Sequence, residues 1–379
     1  MNRKILIAAY GFFPAQAYGG PPVSIDNFCT QMSDYDVYVV ARDHDIYDMH
    51  RLNGIHDGWN DRGNCKVLYL ADSEYTERKF ENVISEIRPD LIYIQTFFQV
   101  KTFLGPVLAA RKNNLPVLLA PRGEFCNGAM KKKYKKIPYI YLFKMLGLFK
   151  NMYFQATSTD EYQKILFYLN KDRARVFFLE NFPSIPNTTT VNISNLNKGD
   201  RLKVITLSRI VPKKNLIFAC KCMGMVKGKV DWDIYGQTED TKYWSECEKI
   251  IALLPNNIRV NYKGSIDHGN VIETFQNYNA MLFPTLSENY GHSIVEAMLS
   301  GCIPVISDQT PWRDLRKYKA GFDLPLTNKE SFAKAIDFLV NMSADEMQEW
   351  SSNSIKYITD RIDVPSLKKK YDDAFSRIK

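Results

Sequence analysis

The chain has 379 residues, 45% hydrophobic and 24% charged, a balance that excludes a disordered polypeptide and leaves room for two ordinary domains. It contains no run of eighteen apolar residues, so no segment reads as a membrane-spanning helix. The net charge of +8 is unevenly spread: no acid falls between Glu124 and Asp160, where Lys131, Lys132, Lys133, Lys135, Lys136, Lys144 and Lys150 all lie.

In chain order, the first segment admits two readings. Ile5 to Phe13 is apolar, with basic residues ahead of it and an Ala15-Gln16-Ala17 triplet that mimics a signal cleavage site. The preferred reading is a buried strand, Lys4–Ala9, that runs into a glycine loop at Gly19-Gly20. The seven cysteines agree with it, because an odd number without framework spacing suits reduced thiols in a cytosol; Cys220 and Cys222 read as core thiols. Further strands are expected at Val37–Val40, Cys65–Leu70, Leu91–Gln95, Pro116–Ala120 and Tyr153–Thr157. Helices are expected at Ser24–Met32, Glu77–Ile87 and Thr102–Lys112. This alternation predicts a mainly parallel sheet covered on both faces, an α/β architecture.

The lysine segment 131–150 also carries Tyr134, Ile137, Tyr139, Ile140, Tyr141, Leu142, Phe143, Met145, Leu146, Leu148 and Phe149. Cations beside such a stretch suit a helix lying on an anionic membrane surface. A solvated lysine loop ahead of a core helix is the alternative. No nucleic-acid motif accompanies the charge, so nucleic acid is not expected as a partner.

Pro183 to Asp200 is rich in Pro, Asn and Thr, lacks apolar periodicity and reads as a linker. Alternation then restarts with strands at Leu202–Leu207, Val230–Tyr235, Ile258–Tyr262, Ala280–Phe283 and Ile303–Ser307. Thr327…Glu330 and Ser343…Glu346 have capping-box spacing, and Pro365 opens a last helix with Leu367, Tyr371, Ala374, Phe375 and Ile378 on one stripe. Two doubly wound sheets joined by a linker should face a cleft, where ligands bind at the carboxyl ends of the strands.

Two segments carry chemistry. Ser208-Arg209-Ile210-Val211-Pro212-Lys213-Lys214-Asn215 follows a strand directly and delivers three cations into a loop, a site suited to a diphosphate. Glu288-Asn289-Tyr290-Gly291-His292-Ser293-Ile294-Val295-Glu296-Ala297 follows another strand. Gly291 opens a helix there, Gly301 ends it, and the free amides at its start favour an anion. Glu288 and Glu296 are placed to accept hydrogen bonds from one ligand at two points. Asp231-Trp232-Asp233 is a metal-type D-x-D, but it opens a strand and reads as structural. Zinc, P-loop and G-x-S-x-G signatures do not occur.

Together these segments resemble family 4 of the retaining glycosyltransferases, which share a Ser/Gly-Arg-x4-Lys segment and an E-x7-E motif. Arg209 and Lys214 match the first, and Glu288 and Glu296 match the second. The resemblance implies the GT-B fold, two Rossmann-like doubly wound domains facing a cleft. Its expected boundaries are an acceptor domain 1–182, a linker 183–200, a donor domain 201–360, and a terminal helix 361–379 that crosses back. Asn181 matches the Asn before the linker. Arg209, Lys214 and Glu288 are the implied catalytic residues, with the two cations on the diphosphate and Glu288 on the sugar hydroxyls. Gly20, Asn289, Tyr290, Gly291, His292 and Ser293 would line the donor, Glu296 would hold the ribose, and Gly236, Lys263 and Gly264 would lie at strand ends near the base. No cofactor or metal is implied, and the donor is a UDP-sugar ahead of a GDP-sugar. The acceptor is a saccharide, on a lipid carrier if 131–150 binds a membrane. The setting implied is cytoplasmic, peripheral on the inner face of a cell membrane.

The chain departs from the family's usual Glu-Gly-Phe-Gly-Leu loop at Asn289 and His292. It also has Gln95 and Pro121-Arg122-Gly123-Glu124 where many members place histidines. Arg122 and Glu124 are therefore candidates for acceptor-side contacts. A GT-B sugar-nucleotide epimerase and a non-catalytic nucleotide-sugar-binding scaffold are the alternatives.

Overall fold

The computed structural model describes residues 2–15, 17–46, 48–125, 133–169, 172–184 and 199–378, apart from the side chains of Lys133 and Lys135. The chain divides into two units, Met1–Phe182 with Val364–Lys379, and Pro183–Asp363.

The first unit runs β1 (Lys4–Ala8), α1 (Gly20–Gln31), β2 (Asp36–Arg42), β3 (Trp59–Asp61), β4 (Lys66–Leu70), α2 (Glu77–Ile87), β5 (Leu91–Ile94), α3 (Val100–Lys112), β6 (Val117–Leu119), α4 (Lys133–Met145), β7 (Met152–Ala156), α5 (Thr159–Leu169) and β8 (Val176–Phe178). Its eight strands are ordered β3-β4-β2-β1-β5-β6-β7-β8, all parallel except β3, which pairs antiparallel with β4. The order reverses at β1, so the crevice beyond the ends of β1 and β5 is the switch point where doubly wound sheets take ligands. Alternate residues of β1 enter two different cores: Leu6 and Ala8 pack on one face, Ile5 and Ile7 on the other, all fully buried. That two-sided burial is why the strand reads as a continuous apolar run. Helix α1 begins at Gly20, four residues earlier than its apolar stripe suggests, because Pro21 and Pro22 occupy a first turn whose amides need no partner.

Helix α4 divides the lysine-rich segment between two environments. Ile140 and Phe143 are buried in an aromatic cluster with Phe97, Phe98, Phe103 and Phe125, and the Tyr139 hydroxyl donates to the Phe97 carbonyl at 3.1 Å. The other face leaves Tyr134, Tyr141, Leu142 and Met145 exposed, followed by Leu146. Lys136 lies over the Phe98 ring at 4.0 Å. Lys131 and Lys132 fall outside the described residues.

The second unit runs β9 (Leu202–Leu207), α6 (Leu216–Met223), β10 (Val230–Tyr235), α7 (Thr241–Ile251), β11 (Ile258–Gly264), α8 (Val271–Phe275), β12 (Ala280–Phe283), α9 (His292–Leu299), β13 (Ile303–Ser307), β14 (Phe322–Leu324), α10 (Lys329–Asn341) and α11 (Ala344–Thr359). Its six strands, ordered β11-β10-β9-β12-β13-β14, are all parallel. Trp232 anchors the core, fully buried, with its indole N–H donating to Thr206 Oγ1 at 3.0 Å. The Ser343 capping box forms as the spacing predicts, but α10 is capped by Asn328, not Thr327: the Asn328 side chain accepts from the Ser331 amide.

The last helix, α12 (Val364–Arg377), belongs to the first unit and starts three residues later than the expected boundary at 361. Tyr371 stacks on Phe182 at 4.9 Å between ring centres, and Phe28 lies against both Tyr371 and Phe375. Burying each such ring contributes about 1.5–3 kcal/mol.

Candidate active site

In the second unit the loop after β9 is stitched to its neighbours on both sides. The Ile210 amide donates to the Gln237 carbonyl at 2.9 Å, beyond the end of β10. Gly236 must be glycine there, because a Cβ would lie 1.7 Å from the Ser208 carbonyl oxygen. On the β12 side, the Leu286 amide donates to the Lys213 carbonyl at 2.9 Å, and Asn215, at φ 60°, donates its side-chain amide to the Pro284 carbonyl at 3.0 Å.

This stitching brings the two motifs together. Lys214 Nζ meets Glu288 Oε1 at 2.6 Å, with the side chains only 17% and 11% exposed, and Thr285 Oγ1 donates to the same oxygen at 2.8 Å. Burial alone would raise the Glu288 carboxyl, but the Lys214 and Lys213 charges outweigh it and hold the group below the usual carboxylate range. Arg209 has a different partner: its guanidinium faces Glu239 Oε1 at 3.2 Å in the loop after β10.

Helix α9 begins just past Gly291, which adopts φ 80° as its N-cap and supplies no side-chain cap, and Gly301 follows its end at φ 76°. Asn289, Tyr290, His292 and Ser293 are half-buried around this turn. Trp312 braces it, donating its indole N–H to the Tyr290 carbonyl at 2.7 Å, and the Tyr290 and His292 rings lie 4.9 Å apart. Glu296 is buried one and a half turns on, accepting from Ser184 Oγ at 3.0 Å, with His268 Nδ1 at 4.0 Å. Burial pushes its carboxyl above the ordinary range, and His268 and Ser184 offset this only in part. Glu288 and Glu296 thus have separate partner sets.

The Gly236 amide donates to the Gly264 carbonyl at 2.8 Å, and Lys263 stands 3.8 Å from Asp233. The D-x-D carboxylates are engaged within the unit. Asp231 accepts from Arg201 at 2.6 Å, and Asp233 accepts from Asn261 at 2.8 Å and Tyr278 at 2.7 Å. Gly20 is the first residue of α1, in the other unit.

At the strand ends of the first unit, Arg122 and Glu124 part company. Glu124 turns into its own loop, accepting from Thr96 Oγ1 at 2.7 Å and from the Phe97 and Phe98 amides at 2.6 and 3.2 Å. Arg122 adopts φ 52°, left-handed for a non-glycine residue, and its guanidinium donates to the side-chain oxygens of Gln95 and Asn181. Sequence reasoning missed Glu161, a fully buried carboxylate that binds the Gly123 amide and both the amide and hydroxyl of Thr157. Its signal was legible as a Ser158-x-x-Glu161 capping spacing, and the Ser158 hydroxyl does accept from the Glu161 amide at 3.2 Å. Glu239, Thr285, Ser184 and His268 carry no such signal, since only the strand order makes them neighbours of the motif residues.

Two Rossmann-like parallel sheets, one with a basic loop locked to a glutamate ahead of a helix start, are the arrangement of the GT-B fold. Residues 188–357 match the family described as Glycosyl transferases group 1. Among solved structures, the chain is similar to Anabaena Alr3699/HepE in complex with UDP and glucose, at 15% identity and a TM-score of 0.72, covering 99% of this chain and 100% of that one. It is likewise similar to sucrose-phosphate synthase from Thermosynechococcus elongatus, at 14% identity and TM-score 0.70 over 100% and 99% of the two chains. A third similarity is to WaaG, a glycosyltransferase involved in lipopolysaccharide biosynthesis, at 12% identity and TM-score 0.63 over 98% of each chain. None of the curated proteins compared with the chain matches it in sequence.

Proposed function

We propose that the chain is a retaining, metal-independent glycosyltransferase of family 4. It moves a sugar from a nucleoside-diphosphate donor, UDP-linked ahead of GDP-linked, to a saccharide acceptor in surface polysaccharide assembly. The observation that carries this reading is the Lys214–Glu288 pair, a half-enclosed cation and a sugar-binding type of carboxylate held together by loops from two adjacent strands. The Anabaena protein of the same fold is seen with UDP and with UDP-glucose, which supports a uridine nucleotide.

On this reading the bond from the anomeric carbon to the diphosphate oxygen breaks, and the gained charge is held by Arg209, Lys214 and the amides of Gly291 and His292. Each such preorganised donor contributes about 3 kcal/mol to the transition state. The acceptor hydroxyl attacks the same face of the sugar, and its proton passes to the departing phosphate oxygen. Glu288 orients the sugar hydroxyls, and Glu296 accepts from the ribose. The exposed apolar and aromatic face of α4, in a segment rich in lysine, supports an acceptor held at an anionic membrane on the cytoplasmic side. Changing Lys131, Lys132, Lys133, Lys135 and Lys136 to Gln should weaken binding to anionic vesicles; unchanged, salt-independent binding would remove the membrane from the proposal.

The test is thermal shift against a panel of nucleotide sugars with EDTA present, with Lys214→Ala alongside. A rise for one donor that the variant loses is the expected result, and release of free sugar from that donor alone would favour the epimerase reading. No rise with any donor would overturn the donor site.

A further inference from the structure

Arg42 meets Asp72, Arg201 meets Asp231 and Arg209 meets Glu239, whereas the half-buried Arg3 and Arg175 donate to backbone carbonyls. Arg122 meets neither a carboxylate nor a backbone carbonyl among the described residues. Its guanidinium, half-buried at the end of β6, donates only to the neutral amide oxygens of Gln95 and Asn181. No carboxylate among the described residues pairs with it, and the remaining residues contain no Asp or Glu. A half-desolvated charge without a counter-ion is unfavourable, and a guanidinium with N–H groups to spare is built to take a planar or tetrahedral oxyanion.

The surroundings hold Arg122 in place. Glu161 fixes the Gly123 amide, and Glu124 ties the same loop to residues 96–98. Asn181 lies in a segment anchored three times: Gln155 donates to the Leu179 carbonyl at 2.7 Å, Tyr371 to the Glu180 carbonyl at 2.9 Å, and Asn27 to the Phe182 carbonyl at 3.0 Å. Gln95 follows β5, whose end borders the switch point of the sheet. A left-handed backbone, neutral hydrogen-bond partners and buried anchors together preorganise one uncompensated cation.

We propose that Arg122 is the recognition site for an oxyanion carried by the acceptor saccharide, either the phosphate that links it to a carrier or the carboxylate of an acidic sugar. The proposal rests on the glycosyltransferase reading and names the acceptor class: an anionic saccharide rather than a neutral one.

Protein saturated with UDP, so that the diphosphate loop is filled, is titrated calorimetrically with glucose 1-phosphate, glucuronate and neutral glucose. Arg122→Gln removes the charge. Gln95→Glu, nearly isosteric, instead supplies the missing counter-ion while keeping the fold's contacts. Each variant should bind the anionic probe at least tenfold more weakly than wild type, with glucose unaffected. The probe that shows this effect separates the phosphate source from the carboxylate source. Equal affinity in wild type and variants, or no binding of either anionic probe to wild type, overturns the proposal. A loss of UDP affinity in Arg122→Gln also overturns it, because the residue would then serve the donor. If UDP fails to bind wild type, only the donor reading falls, and the titration is run on the free protein.

Discussion

Lys214 and Arg122 both stand in loops that follow a parallel strand, yet Lys214 faces Glu288 at 2.6 Å while Arg122 faces only the amide oxygens of Gln95 and Asn181. The difference separates two ways of keeping a cation ready for an anion. A carboxylate partner stabilises the unliganded state but must be shared or displaced when the ligand arrives. A neutral partner leaves the full charge to the ligand, and the cost of holding it falls on the surrounding fold.

The largest expected effect breaks the charged arrangement. Lys214→Met or Glu288→Leu alone strands a poorly solvated charge and should cost about 3–5 kcal/mol in urea unfolding. The double variant should recover most of that loss without recovering donor binding. Losses that simply add would show that the two groups do not act as a pair. Next is the neutral arrangement, where Gln95→Glu should raise thermal stability by giving Arg122 a partner, as it weakens binding of the anionic probe at least tenfold. The gain in stability and loss of affinity should occur together in this one variant, whereas at Lys214 both are lost together.

The smallest effect lies in pH. Burial raises the Glu296 carboxyl, so as pH falls it takes up a proton earlier than an ordinary glutamate near 4.5. Donor binding that uses the ionised carboxylate is therefore complete above the raised value and lost as pH falls through it. UDP affinity should decline a few-fold on the acid side, and Glu296→Gln should flatten that limb. An identical acid limb in the variant would place the titrating group elsewhere.

Long apolar strands and both charged motifs, Arg209/Lys214 and Glu288/Glu296, were legible in the sequence because each depends on neighbours along the chain. Strand β9 runs Leu202–Leu207, the span its apolar run predicts. Strands β3, β8 and β14 were not legible: each has three residues and is held by a partner strand rather than by its own pattern. The candidate site divides in the same way. Lys214 and Glu288 are readable from spacing, but Glu239 reads as one acid among several before α7 until β10 is seen beside β9. Arg122 was legible as a candidate but its neutral setting was not, since Gln95 and Asn181 reach it from 27 and 59 residues away.

The return of α12 to the first unit has a consequence for how the chain is made. Phe28 and Phe182 emerge from the ribosome long before Tyr371 and Phe375, which complete their cluster. The second unit, Pro183–Asp363, is one uninterrupted stretch and is fully synthesised while the first still lacks a wall. The nascent first unit therefore carries an open aromatic face while residues 183–363 are made, and a deletion of α12 should expose that face while leaving the loops of Lys214 and Glu288 intact.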